Sequence, residues 1–145
     1  MRTQVLQQEG ETTYAVVFEK GDEFVSGMLE FAHAQRLDTA QFTAIGAFSR
    51  ATLGYFDRDR KDYRKIPIDE QVEVLSLIGN IARDNTEPKI HAHVVVGKAD
   101  GTAHGGHILE AHIWPTLEVI VVELPRHLRR TTDRETGLAL IRLDA

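Results

Sequence analysis

Residues 89–114 read KIHAHVVVGKADGTAHGGHILEAHIW, two runs of alternating side chains around a turn at Asp100-Gly101. Successive side chains of a strand point to opposite faces, so His91, His93 and Val95 share one face and Ile90, Ala92, Val94 and Val96 the other. The second set is apolar throughout and reads as core. A three-residue loop, Ala99-Asp100-Gly101, with glycine in the left-handed position pairs Lys98 with Thr102. Counting back from that pair sets His93 opposite His107 and His91 opposite Leu109. The stretch therefore predicts an antiparallel hairpin with His91, His93 and His107 on one face, and with His104 and His112 on the other. A two-residue Asp100-Gly101 loop slips the register by one and sends His107 to the wrong face. A bulge at Gly105-Gly106 reverses such a slip.

Strand-like runs fill most of the remaining chain. One spans Tyr14 to Glu19, followed later by QFTAIGAF, RATLGYFD, KDYRKIPI, QVEVLSLIGNIA, LEVIVVEL and a terminal pair around HLRRTT and LALIRL. Turn residues separate them at Asp57–Lys61, Asp84–Pro88, Pro115, Pro125 and Asp133–Gly137. Between the first two runs, Asp22 is a good N-cap, and Phe24, Val25, Met28, Leu29 and Ala32 follow at helical spacing. That predicts one amphipathic helix over residues 23–36. The fold class is α+β: an antiparallel multi-stranded sheet with one main packed helix, in a single domain over residues 1–145.

Composition limits the chemistry. The chain has 145 residues, 42% of them hydrophobic, enough for one respectable core. There is no cysteine, so disulfides and thiolate zinc sites are excluded, and any metal must be held by imidazole and carboxylate. No apolar run approaches the roughly 18 residues of a membrane span, and MRTQVLQQEGETTY has no apolar signal core. A soluble cytoplasmic protein with no membrane partner is expected. The net charge of −5 argues against a broad basic face for nucleic acid. Bases cluster only at Arg58, Arg60, Lys61, Arg64 and Lys65, interleaved with aspartates, and at Arg126, Arg129 and Arg130.

Three converging neutral imidazoles suit Zn²⁺ first and other divalent transition metals after it. A three-histidine set leaves one coordination position open, the pattern of a catalytic rather than a structural site. Glu73, on the face away from Val72 and Val74, is the candidate catalytic carboxylate, placed to orient an imidazole or act on bound water. An ordinary exposed strand residue is the simpler reading of it. Glu110 falls on the face opposite His107 and is a poorer candidate. Beside the metal site stands a plain alternative, in which the histidines are half-buried strand residues satisfied by hydrogen bonds.

The pieces FTAIGAFSRATLGYFD, EQVEVLSLIGNIA, HAHVVVGKADGTAHGGHILEA and PTLEVIVVELP, in this order across Gly21 to Ile141, resemble the plants-and-prokaryotes conserved (PPC) domain. The resemblance implies an antiparallel α+β fold assembled as a homotrimer. It also implies a metal held by histidines corresponding to His91, His93 and His107, as in stand-alone prokaryotic members. A DNA-binding or regulatory role is implied too, because plant members carry the domain after AT-hook segments; no such Arg-Gly-Arg-Pro element occurs in these residues. The other function class is a small metal-dependent enzyme, with a small-molecule ligand at the metal and no substrate that the residues identify.

Overall fold

The computed structural model describes residues 1–7, 10–124 and 128–143. The predicted turn residue Pro125, Arg126 of the second basic cluster and His127 of HLRRTT lie outside them. The elements run β1 (Arg2–Gln7), β2 (Thr13–Glu19), α1 (Phe24–Gln35), β3 (Thr39–Asp57), β4 (Asp62–Ile68), β5 (Val72–Asp84), β6 (Glu87–Gly97), β7 (Ala103–Glu123), β8 (Arg129–Thr132) and β9 (Ala139–Arg142). Among the described residues, one helix and a nine-stranded sheet form the α+β architecture expected from the sequence. Within the sheet, β3, β5, β6 and β7 pair in a closed circuit: β3 with β5, β5 with β6, β6 with β7, and β7 back to β3. All of these pairs are antiparallel. The short β8 is different, running parallel to β5 at Arg83–Arg129 and Asp84–Arg130.

Two pairs of predicted strands are each one long strand. QFTAIGAF and RATLGYFD join as β3, bent at Gly46, whose φ of +152° lies where side chains rarely go. A Cβ there would also collide with the Thr116 carbonyl. Likewise β7 runs straight through Pro115. Its pairing with β3 skips from Ile113–Phe48 to Leu117–Gly46, so the missing proline N–H removes no bond from that ladder. The Arg2–Gln7 strand has no counterpart among the predicted elements; it lies along β2 from Arg2–Val17 to Gln7–Thr13.

The helix starts one residue later than its apolar spacing suggests, because Glu23 and not Asp22 caps it. The Glu23 carboxylate accepts from the Val25 and Ser26 amides, 3.1 and 2.8 Å away. Asp22 is engaged elsewhere, with the N-terminal ammonium and the Glu19 amide. Arg36, in the left-handed conformation, ends the helix. Phe24, Met28, Phe31 and Ala32 are its buried face, and aromatic contacts tie it to the sheet through Phe18, Phe42 and Tyr14. Core side chains Ala92, Val94 and Val96 pack beneath it on the inner face of β6, which leaves the odd-numbered residues of that strand on the outer face.

Candidate metal centre

The loop between β6 and β7 has the three-residue form. The Lys98 amide donates to the Thr102 carbonyl and the Gly101 amide to Lys98, both at 2.9 Å, with Gly101 at φ +82°. Asp100 braces it by accepting from the Thr102 amide and hydroxyl. That loop sets His93 directly opposite His107, with Gly106 opposite Val94 and no slip between. On its other edge β6 pairs His91 with Asn80 and His93 with Ile78 of β5. Pairing of β6 with β7 ends at His93–His107, where the other edge of β7 pairs with Gly54 of β3, and Leu109 is not paired with His91.

The three imidazoles meet. Each offers a nitrogen, and these atoms lie within 4.8 Å of one another. The Nε2 atoms of His91 and His93 are 3.2 Å apart, and ring centroids are separated by 5.0 to 5.6 Å. A tetrahedral ion about 2.0–2.1 Å from each imidazole nitrogen holds a pair of them at about 3.4 Å, so a small contraction closes the set. In addition, the buried Nδ1 of His107 has no hydrogen-bond partner among the described residues. Buried polar atoms are seldom left so, and a donor set lacking its ion is one arrangement that leaves them. The residues fit a divalent transition metal.

The other predicted residues lie apart. His104 pairs with Val96 and contacts Thr102, while His112 contacts Glu110 and Arg50. Glu73 is exposed and on the outer face, as its alternation requires, but it pairs with Gly97. Gly97 is four residue steps along β6 from His93, about 13 Å at the usual rise. The structure does not bring Glu73 to the histidines.

Three supporting residues carry no signal in the sequence. Tyr63 of β4 stacks on His107, with centroids 4.6 Å apart and rings 22° from parallel. Gly54, opposite His107 on β3, makes the room: a Cβ there would sit 2.7 Å from the Tyr63 ring. Asn80, the neighbour of His91, accepts from the guanidinium of Arg130. The Tyr63–His107, Gly54–His107 and Asn80–Arg130 neighbours join strands far apart in the chain.

Electrostatics favours the neutral, metal-binding form of His91 and His107. Burial, followed by the neighbouring His91 and His93 rings, pushes the His107 pKa down from 6.5 to about 4. Burial, then Arg130 and His93, lowers that of His91 as well. Because the folded values lie below the unfolded one, the unfolded chain takes up protons first. The metal-free protein therefore loses stability as pH falls from about 6.5, and for His107 the loss is complete near pH 4. Proton NMR of the metal-free protein should show the His107 ring titrating near pH 4. An ordinary midpoint near 6.5 would contradict its half-buried placement beside the other two rings.

Residues 6–125 match the family described as the Plants and Prokaryotes Conserved (PCC) domain. The chain belongs to this family. Among solved structures, a metal-containing protein from Archaeoglobus fulgidus is 32% identical, with 98% of this chain and 97% of that one covered and a TM-score of 0.84. A plant- and prokaryote-conserved protein from Pyrococcus horikoshii is 28% identical over 97% and 99% of the chains, with a TM-score of 0.86. A Bacteroides thetaiotaomicron protein provisionally described as DNA-binding is 26% identical over 97% and 96%, with a TM-score of 0.89. A curated relative, the bifunctional protein GlmU of a Synechococcus strain, is 30% identical over 120 residues. These are 81% of this PCC-domain chain but only 18% of GlmU, so the chain spans less than a fifth of the curated relatives it matches.

Proposed function

We propose that this PCC-domain protein is a homotrimer in which His91, His93 and His107 of each subunit hold one divalent ion, Zn²⁺ foremost, whose open position serves a small-molecule ligand. The convergence of the three imidazoles carries this reading. The metal-containing relative from Archaeoglobus fulgidus supports it. A bound ion would supply Lewis acidity for polarising a carbonyl or lowering the pKa of a water. The chain's own part is to hold three neutral nitrogens in place, with Tyr63 stacked on one of them. Elemental analysis of purified protein should find about one such ion per chain; a metal-free protein that takes up none on dialysis against Zn²⁺ would refute the proposal.

Assembly is supported by the outer face beside the site. Ile45, Leu75, Ile78 and Ile120 are 61, 55, 58 and 42% exposed and line one shallow depression. Ile78 is also the cross-strand neighbour of His93. A contiguous apolar face of this kind is the mark of an interface. A subunit docked there would bring each metal centre to a subunit boundary.

DNA association is the second reading, favoured by the relatives provisionally described as DNA-binding. Charge supplies little for it. In the first basic cluster Arg64 is paired with Asp57 and Arg58 with Asp59. In the second, Arg130 is only 5% exposed and cannot reach a phosphate on a duplex. With so few cations to release counterions, A/T-rich duplex should be bound no tighter than about 10⁻⁴ M at physiological salt. A submicromolar, sequence-selective shift in a gel assay would promote the DNA reading over the metal-ligand one.

A further inference from the structure

Arg130 is buried in a way that nothing around it explains. Its guanidinium has five donors, and two are used: one nitrogen donates to the Ala139 carbonyl at 2.9 Å, the other to Asn80 Oδ1. Its Nε is buried without a partner, and no carboxylate pairs with it among the described residues. Asp84 acts on Arg130 as a favourable charge across the strands, but its carboxylate is hydrogen-bonded to Lys89. A buried cation with no carboxylate in direct contact among the described residues is unfavourable, and such a group is retained where an anion completes it. Beside Arg130 lies a cavity of about 180 Å³. His91 and His107 form part of its wall, Tyr63 and the Gly137–Leu140 segment form more, and Arg130 is the remaining cation besides the engaged Lys89.

Resting on the metal-centre reading above, we propose that this cavity binds the carboxylate of a small organic acid, held by Arg130 and reaching the ion on His91, His93 and His107. The planar fork of a guanidinium matches a carboxylate, and the charge-assisted bonds so formed are the strong ones. The volume is the share of about six liquid water molecules, which limits the ligand to a few heavy atoms. Asn80 links the two halves, because it both fixes the guanidinium and neighbours His91 across the strands. The anion thus reaches the centre from the side of His91 and His107, while the larger groove past His93 and Ile78 opens onto the apolar face.

Calorimetric titration of the zinc-loaded protein with lactate, and in parallel with inorganic phosphate, tests the assignment, with metal content measured on each sample. Lactate should bind at least tenfold more tightly than phosphate. Arg130→Leu should weaken lactate at least tenfold with the metal content unchanged, and chelation of the metal should weaken it too. Should Arg130→Leu not fold, the wild-type Arg130 Nε–H resonance should shift on adding lactate. Metal bound with no lactate affinity, an affinity indifferent to Arg130→Leu, an unmoved Nε–H resonance, or a preference for phosphate would each overturn the carboxylate site and leave the metal centre standing. A protein that binds lactate through Arg130 yet holds no metal would keep the anion site and remove the metal centre.

Discussion

Replacing His107 by alanine should take the bound metal from about one ion per chain to nearly none. Apparent binding free energies for four-ligand zinc sites are about 10–16 kcal/mol, or roughly 3 kcal/mol per ligand, so losing one of three imidazoles weakens the site over a hundredfold. Its effect goes beyond the lost bond, because His107 is the ligand that crosses from β7 to join the two on β6. His91→Ala should act in the same direction. By contrast, His104→Ala and His112→Ala should leave the metal in place, since both side chains contact other partners away from the cluster. Elemental analysis of the four variants separates the registers: an equal loss from His104→Ala would mean that the hairpin is shifted by one residue from the pairing seen here.

Ile78→Asp should turn a trimer into a monomer. Ile78 is 58% exposed in the single subunit, so the substitution leaves the core intact and should cost the subunit fold at most about 1 kcal/mol. In an assembly that covers the face of Ile45, Leu75, Ile78 and Ile120, the same change places an unpaired carboxylate at each contact, and that is strongly unfavourable. Light scattering should give about three times the 16.3 kDa chain mass for the native protein and the chain mass for the variant. A native monomer, or a trimer unaffected by Ile78→Asp, would put the assembly or its face in error. Because His91, His93 and His107 all come from one chain, the monomeric variant should still bind metal, though more weakly if the interface shields it.

The site's geometry was legible in the sequence because a hairpin is local. Alternation put His91 and His93 on one face, Gly101 fixed the loop, and the loop fixed His107 opposite His93. Glu73 shows where that logic stops. Alternation gives a face but no position along the strand, and pairing with Gly97 leaves Glu73 away from the three histidines. Arg130 shows the opposite failure. In the sequence it is one base of a surface-like cluster, whereas the parallel contact of β8 with β5 buries it beside Asn80. No short-range pattern announces a contact between residues 50 positions apart. Of the two fused pairs, the one divided at Pro115 shows that a proline breaks a strand only where the ladder needs its amide, and there the pairing with β3 is interrupted.

The most direct test of the account is a crystal structure of the protein with X-ray data collected on both sides of the zinc absorption edge. The expected result is one anomalous peak per subunit, about 2.0–2.1 Å from a nitrogen of each of His91, His93 and His107, with the fourth position facing the cavities beside His91. A zinc-soaked crystal with no peak at these three rings, or with its peak on other residues, would contradict it.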